Sequence, residues 1–366
     1  MSILSFEYKK LMIKKKALLM VVLYLLITSA IFFYSNDFML DAKLRSNLTQ
    51  YNSYIEQLKG PLTNEKQDYL AKEKQRLTES KMKYDKAVDE YYYNSMDEAL
   101  FVEIVNASKD DVAKNPAFEI VEDQYNFIKE DENNRDFIPI AGITVISSSI
   151  DHEFDILLFV LLTLITVPLF SYEYESGMYS LLMTTQKGKH KLTSYKVFIS
   201  IINIVFIVFT KLIIRLLITD YKYGMCNLFA PVQSYNLLSN IPFNLNFLEL
   251  FIILSIFDIF AYIIFSQLVL TITYGVKKTV YALFIPMIYI LAVNIIVGTN
   301  DKLKLFMISP LTFLNSIKIF TGEYAELIGS KYYIYFFVSL LITGISICVL
   351  MCFVNIKLFS KSRNKI

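Results

Sequence analysis

The chain has 366 residues, of which 55% are hydrophobic, and its formal net charge is +2. Its mean hydropathy of +0.44 excludes an ordinary soluble domain and indicates a polytopic membrane protein. Three cysteines and two histidines give no disulfide framework and no metal cluster. Lysine exceeds arginine, and Ile, Asn and Tyr are frequent, which is typical of an AT-rich bacterial genome. We therefore expect a bacterial plasma membrane, membrane lipids as partners, and no nucleic acid.

The apolar runs predict the fold class. A helix needs about 20 apolar residues to cross a bilayer. Six runs qualify, at 17–34, 154–170, 197–218, 250–274, 279–297 and 332–354. We predict an all-α polytopic membrane protein with six transmembrane helices. Residues 1–34 hold an amphipathic N-terminal helix and the first span, and residues 151–366 hold the other five spans.

The basic residues predict the orientation. If the N-terminus is inside, the inner segments hold 15 Lys and Arg residues, and the two short outer loops hold five. The inner segments are 1–16, 171–196, 275–278 and 355–366, and the outer loops are 219–249 and 298–331. Basic residues are enriched on the cytoplasmic side, so we place both termini in the cytoplasm.

Residues 35–150 then form a large extracellular insertion. It holds 22 acidic and 14 basic residues. The stretch 64–105 is rich in helix formers and lacks Gly and Pro, and its apolar residues roughly follow helical spacing. Those residues are Leu70, Leu77, Tyr84, Val88 and Tyr91. We predict an elongated helical hairpin that is either a solvated stalk or a docking surface for a cationic ligand or partner.

Local breakers predict the helix ends of this insertion. The sequence KGPL at 59–62 ends a helix over 41–58. Asn115 and Pro116 are typical of an N-cap and a first turn, so they predict the start of a further helix.

Motifs for covalent chemistry are missing from the sequence. It contains no G-x-x-x-x-G-K-[ST] phosphate loop, no H-E-x-x-H, no G-x-S-x-G and no dinucleotide fingerprint. We therefore predict no catalytic residues, and any energy source would lie on another chain.

The connection at 170–196 reads FSYEYESGMYSLLMTTQKGKHKLTSYK. Two glutamates and a glycine precede a leucine pair, a basic turn and a lysine that leads into the next span. These residues are Glu173, Glu175, Gly177, Leu181, Leu182, Lys187, Lys189, Lys191 and Lys196. The order resembles the cytoplasmic segment of ABC-2 type transporter permeases, with lysines where that family often has arginine. The resemblance extends to the six-span layout and covers most of the chain except 35–150.

This resemblance implies a function. It makes the chain the permease subunit of a bacterial ABC exporter, which is a transporter subunit and not an enzyme. A second permease subunit, identical or related, and cytoplasmic ABC ATPase subunits would be its partners. ATP and Mg would be held by the ATPase, and this chain would bind no cofactor. Segment 171–196 would then couple the ATPase to the spans.

The coupling segment can be interpreted residue by residue. Residues 172–185 would form a short surface helix, in which Glu173 and Glu175 offer charge-assisted bonds to basic groups of the ATPase. Gly177 would allow a bend or close approach, and the lysines of 187–191 would hold the loop at anionic headgroups. The alternative is a plain inner loop with no partner.

Two further groups of residues are candidate sites. Lys211, Arg215 and Asp258 lie within spans, where charge is costly, so they either line a polar route or form structural and snorkelling contacts. Loop 298–331 is too apolar for a free loop and resembles the re-entrant hairpin of ABC-2 permeases. Phe306, Pro310 and Phe313 would form an outer gate there, unless the loop is only an interfacial segment.

Other functions remain open at this point. One is an immunity or detoxification exporter for antimicrobial peptides, which the acidic insertion favours. Another is a non-transporting membrane sensor or scaffold whose extracellular hairpin binds a ligand. Co-purification of an ATPase would distinguish a transporter from a scaffold.

Overall fold

A computed structural model describes residues 3–14, 16–93, 95–132, 134–151, 155–178, 191–224, 227–239, 241, 243–299 and 333–361. Within these ranges the protein is all-α apart from one short pair of antiparallel strands. The predicted all-α class is therefore confirmed.

The helices are α1 (Ile3–Lys9), α2 (Ala17–Ser35), α3 (Ala42–Ser46), α4 (Leu48–Leu58), α5 (Asn64–Tyr92), α6 (Glu98–Lys129), α7 (Ile140–Asp151), α8 (Ile156–Thr166), α9 (Ser171–Glu175), α10 (Thr193–Tyr223), α11 (Phe247–Val276), α12 (Thr279–Thr299) and α13 (Tyr333–Lys361). The strands are β1 (Gly60–Pro61) and β2 (Asp136–Phe137). Short π and 3-10 segments at Lys10–Lys14 and Val167–Leu169 follow α1 and α8.

Five helical segments in the described part of the chain are long and apolar enough to cross a membrane, which makes this a multi-pass membrane protein. They are Ala17–Met39, Ile156–Glu175, Thr193–Tyr223, Phe247–Val276 and Val338–Leu358. The remaining predicted span, 279–297, is the fifth in chain order and corresponds to α12. Its apolar part, as far as its side chains are described, is the shorter segment Thr279–Ala292.

The chain divides into two compact units. The first, called here the membrane unit, consists of Met1–Tyr34, Ser149–Leu217 and Phe251–Ile366. The second, called the hairpin unit, consists of Ser35–Ser148 and Ile218–Leu250.

The core of the membrane unit is built on Ile156–Glu175 and Phe247–Val276, whose most apolar windows are each 67% buried. The ring of Phe159 contacts Phe265 edge-on with centroids 4.7 Å apart, and its centroid lies 5.4 Å from that of Tyr262. All three side chains are fully buried, or nearly so. These aromatic contacts bury large apolar areas and fix the two helices against each other.

The last helix joins this core through amide side chains. Asn355 donates from Nδ2 to the carbonyl oxygen of Gln267 at 2.9 Å and to its Oε1 at 3.0 Å. Thr271 donates to Asn355 Oδ1 at 3.0 Å, and Gln267 donates to Ser200 at 3.3 Å. Polar contacts of this kind hold helices together where lipid removes the hydrophobic driving force. We call these four residues the amide junction.

The hairpin unit is dominated by α5 and α6, which pack along one another. Thr63 begins α5 by accepting a hydrogen bond from the backbone N–H of Lys66, and the 29 residues that follow extend for about 43 Å. Leu70 and Leu77 are buried in the interface. The predicted helical hairpin is therefore confirmed.

The apolar stripe predicted for α5 is buried only along part of its length. Leu70 and Leu77 are buried, Tyr84 is half-buried, and Val88 and Tyr91 are exposed. Periodicity reports which side chains share a helix face, but the partner helix decides how far that face is covered.

The interpretation of Pro116 as a helix start is wrong. Pro116 lies inside α6, a continuous helix of 32 residues. An internal proline removes one backbone hydrogen bond and disfavours the helix. Here the next turn buries Ala117, Phe118 and Val121, and packing against α4 and α5 offsets that loss. The helix predicted over 41–58 is divided into α3 and α4, and it ends at Leu58 as expected.

Candidate coupling site and buried ion pairs

The segment that resembles a coupling region begins with a short helix. Pro168 and the 3-10 turn Val167–Leu169 end the preceding apolar helix, and α9 follows. Gly177 ends this turn with φ of +70°, and its N–H bonds the carbonyl oxygen of Tyr174 at 3.2 Å. Nothing lies within 4 Å of the position of a Cβ on Gly177. The glycine is therefore needed for a left-handed backbone, and its surroundings are open.

Glu173 is buried, which differs from the expectation that it lies in water. Only 3% of the residue is exposed, and its Oε1 is paired with the Nζ atoms of Lys196 and, at 3.3 Å, Lys10. The direction of the helix from Ser171 turns this carboxylate inward, onto the first turn of α10. Sequence spacing alone does not fix that rotation.

Lys196 is the most deeply buried cation of this cluster, with none of its surface exposed. Besides Glu173, its ammonium donates to the carbonyl oxygen of Leu169 at 2.7 Å. It also lies 4.7 Å from the ring centroid of Phe170. A lysine ammonium has three N–H donors, so the carboxylate, the carbonyl and the aromatic face satisfy a charge that would otherwise be costly to bury.

Lys10 connects the N-terminal helix to the same cluster. Its Nζ lies 3.5 Å from Glu7 Oε2 as well as 3.3 Å from Glu173. Two carboxylates and two ammonium groups therefore lie together, and their charges cancel. We call Glu7, Lys10, Glu173 and Lys196 the anchor cluster. It joins three segments that are far apart in sequence.

Glu175 lies on the exposed face of α9. Its Oε1 accepts a hydrogen bond from the backbone N–H of Thr279 at 3.0 Å. Thr279 is the first residue of α12, whose N-terminal N–H groups have no partners within the helix. The carboxylate therefore caps a helix that is distant in sequence and suits its positive end.

A cavity of about 210 Å³ lies beside α9. Its walls are mostly apolar, with hydroxyl and carboxylate groups at Ser171, Tyr172, Glu175 and Thr279. Leu11 and Ala17 bring the N-terminal segment to the same space. Three parts of the membrane unit therefore meet around the short helix.

The remaining residues of the predicted coupling segment have mixed outcomes. Lys191 is exposed. Leu181, Leu182, Lys187 and Lys189 lie outside the described residues. The structure thus brings Glu173 and Lys196 together, keeps Glu175 and Gly177 at the surface, and leaves the basic turn as a prediction.

A second buried ion pair involves one of the predicted intramembrane residues. Lys211 Nζ lies 3.1 Å from Asp155 Oδ2, and Tyr24 donates to the same oxygen at 2.5 Å. Asp155 Oδ1 accepts from the backbone N–H of Leu158 at 3.0 Å, which caps α8. Asp155 is not among the intramembrane residues predicted from the sequence, which are Lys211, Arg215 and Asp258. An Asp directly before an apolar run is an N-cap signal that could have identified Asp155.

The other predicted intramembrane residues lie in different environments. The Arg215 guanidinium carbon is 5.3 Å from the ring centroid of Phe32. Asp258 is buried within α11. The predicted outer gate of Phe306, Pro310 and Phe313 lies outside the described residues.

The described residues contain no group of three or more His, Cys, Asp or Glu side chains that could hold a metal ion. The site is therefore defined by ion pairs and helix caps. No protein-family model matches this chain, and neither a curated protein nor a solved structure shows significant similarity to it.

Proposed function

We propose that this chain is the permease subunit of an ABC-2 type exporter. It moves a substrate across the cell membrane with energy from a separate cytoplasmic ATPase, which holds ATP and Mg. Two permease subunits, identical or related, enclose the pathway with six spans each. Both termini and the segment 171–196 lie on the cytoplasmic side.

The anchor cluster is the observation that carries this proposal. An ATPase that changes conformation can move membrane helices only through an element that is rigidly attached to them. Helix α9 directly follows the 3-10 turn that ends α8, within the apolar segment Ile156–Glu175, and Glu173 joins it to Lys10 and Lys196. Glu175 joins it to the start of α12. A force on α9 therefore reaches four helical segments together.

The two glutamates then have different tasks. Glu173 is an internal positioning residue that fixes α9, and it is not available to a partner. Glu175 and the backbone around Gly177 form the exposed surface that meets the ATPase. Lysines from Lys187 to Lys191 hold the following turn at anionic headgroups.

The test is to purify the chain from its native membrane and measure what accompanies it. We expect the chain alone to hydrolyse no ATP and its native complex to contain an ABC ATPase. The informative variant is Glu175→Gln, since Gln keeps an oxygen to accept from Thr279 but loses the charge. We expect weaker ATPase binding, because the neutral Gln cannot make a charge-assisted hydrogen bond to a basic group of the ATPase.

Glu65→Gln is a matched control, because Glu65 is an exposed glutamate in the first turn of α5. It should bind the ATPase like the unmodified chain. ATP hydrolysis by the isolated chain, or a native complex without any ATPase, would overturn the proposal.

A sensor or scaffold is the second candidate. The observation that favours it is the cluster of exposed tyrosines where α5 ends, at Tyr92 and Tyr93, since a plain stalk has no need of them. A scaffold should purify without an ATPase, whereas an immunity exporter for antimicrobial peptides should purify with one.

A further inference from the structure

The end of the helical hairpin exposes an unusual amount of apolar surface. Tyr92 is 81% exposed and Tyr93 is 78% exposed. Four further apolar side chains of the same region are also exposed: Val88, Tyr91, Leu100 and Val102. We call residues 88–93 and 95–102 of the hairpin the tip. Contiguous exposed apolar groups on a polar helical element mark interaction sites.

The buried packing between α5 and α6 ends before the tip, although the partly exposed rings of Tyr91 and Phe101 still stack there. The described core of the hairpin extends through Leu77 to Ala87 on α5 and to Ser108 on α6. Between these positions the described apolar side chains are exposed or half-buried. The tip therefore continues the α5–α6 interface with apolar side chains that the hairpin itself does not bury.

Local contacts fix several described residues of the tip despite their exposure. The ring of Tyr91 stacks on Phe101 with centroids 4.3 Å apart and planes 14° apart. Ser95 donates to the carbonyl oxygen of Glu90 through both its N–H and its hydroxyl, at 2.8 and 2.7 Å. A surface that is ordered in advance loses less conformational entropy when it binds.

Negative charge surrounds these aromatic rings. Residues 85–103 contain six acidic side chains and one basic side chain, Lys86, whose Nζ lies 3.6 Å from Glu90. Asp97 and Glu98 are exposed at the start of α6, next to the tyrosines. Tyrosine faces and carboxylates both attract ammonium and guanidinium groups.

We propose that the tip is a binding site for a cationic amphipathic peptide segment. Its Lys or Arg side chains would contact the carboxylates and tyrosine faces, and its apolar side chains would cover Val88, Leu100 and Val102. The negative charge disfavours a second copy of the same tip and an anionic lipid surface. This inference does not rest on the proposed transport function.

The chain contains no tryptophan, which gives a clean assay. The full-length protein is placed in discs of zwitterionic lipid and titrated with a short helical peptide of Lys and Leu that carries a single Trp. Trp fluorescence then reports only the peptide. We expect saturable binding beyond that of empty discs, and weaker binding as salt screens the charges. A matched peptide of Glu and Leu should not bind.

The double variant Tyr92→Ser/Tyr93→Ser removes the most exposed rings and leaves the Tyr91–Phe101 stack in place. We expect its Kd for the Lys/Leu peptide to rise about tenfold, since exposed cation–π contacts and interface tyrosines carry much of such binding. Tyr221→Ser is the control, because Tyr221 is equally exposed but distant in sequence from the tip. Its Kd should not change.

Asp97→Asn/Glu98→Gln tests the charge while keeping side-chain size. We expect a several-fold rise in Kd and a flatter salt dependence. The inference is overturned if the two tyrosine substitutions leave the Kd unchanged, if empty discs bind the peptide equally, or if the Glu/Leu peptide binds as tightly. None of these measurements involves ATP or a second protein, so their failure would leave the proposed function standing.

Discussion

The two units of this protein use the same ion-pair chemistry in opposite surroundings. In the membrane unit, Glu173–Lys196 and Asp155–Lys211 are buried, and both carboxylates and the Lys196 ammonium have two or more polar partners. In the hairpin unit, Lys43–Glu119 lies at the surface, with side chains 42% and 55% exposed. Burial changes the cost of breaking a pair far more than the distance between its atoms does.

This contrast shows what each kind of pair can do. A buried charge that loses its partner has no water to replace it, so the pair holds its helices in one arrangement. A surface pair exchanges its partner for water and ions at little cost. The ion pairs of the membrane unit therefore fix the positions of its helices, whereas the exposed pair Lys43–Glu119 of the hairpin unit contributes little to stability.

The largest effect is expected from Lys196→Met. It leaves Glu173 buried with only Lys10 nearby, and loss of one partner of a buried pair costs about 3–5 kcal/mol. We expect the variant to accumulate poorly in the membrane and to unfold at a clearly lower temperature in detergent.

The double variant Glu173→Gln/Lys196→Met is the control, because it removes both charges. It should recover a substantial part of the stability. If the double variant is no more stable than Lys196→Met alone, the unpaired charge of Glu173 does not cause the loss of stability.

A smaller loss is expected from Lys211→Met. The substitution removes the charged hydrogen bond from Lys211 to Asp155, but Asp155 keeps two other donors, the Tyr24 hydroxyl and the Leu158 N–H. We expect a loss of about 1.5–3 kcal/mol, measured by the same thermal unfolding. The exposed Lys191→Met should change stability by less than ~0.5 kcal/mol. Equal losses of stability in Lys211→Met and Lys191→Met would show that burial does not determine how much each lysine contributes.

The hairpin should respond to pH through Glu73. Burial raises the pKa of Glu73, but hydrogen bonds from Arg76 and Tyr54 outweigh it and hold the pKa below its usual value. Its stabilisation is therefore present above the unfolded pKa of about 4.3 and is lost as pH falls through the lower folded pKa. Hydrogen exchange of α5 and α6, corrected for intrinsic rates, should show protection decreasing on acidification.

Arg76→Ala should weaken this dependence. Arg76 is 47% exposed, so water screens its pairing, and we expect a loss of about 1 kcal/mol at neutral pH. With the arginine absent, burial becomes the main influence on Glu73, and acidification should cost less protection than in the unmodified chain. An unchanged pH profile would contradict the assignment of the network to Glu73.

The smallest effect is expected from Lys43→Ala. The hydrogen bond from Lys43 lowers the pKa of Glu119, yet both side chains are largely in water. We expect a change of about 0.2–0.5 kcal/mol that disappears at high salt. A loss of stability as large as that expected for Lys196→Met, measured by hydrogen exchange of α6, would contradict the distinction between buried and exposed ion pairs.

The sequence predicts local structure well here and long-range pairing poorly. Apolar runs and helix formers identify the long helices and the hairpin, because these patterns depend only on residues that are close together in sequence. The partners of Glu173 are 163 and 23 positions away in sequence, at Lys10 and Lys196, and only the folded helices bring them together. A rotation of α9 by one residue would have exposed Glu173 and buried its neighbour.

The same limit explains Pro116 and Asp155. Propensity disfavours proline within a helix, but burial of Phe118 and Val121 in the next turn decides the outcome. Asp155 could have been recognised as a cap from its position before an apolar run. Its pairing with Lys211 could not, since it depends on how α8 and α10 face each other.

The amide junction has a consequence for how the membrane unit is assembled. Helix α13 is synthesised after α11, which carries Gln267, and its apolar window is only 17% buried, so lipid can solvate most of its surface from the start. Asn355 is an exception, because its two amide hydrogen bonds to Gln267 are made at one depth and one rotation. Helix α13 can therefore insert into the bilayer as an independent helix. Its hydrogen bonds to Gln267 then set its depth and rotation, and no large apolar interface has to form first.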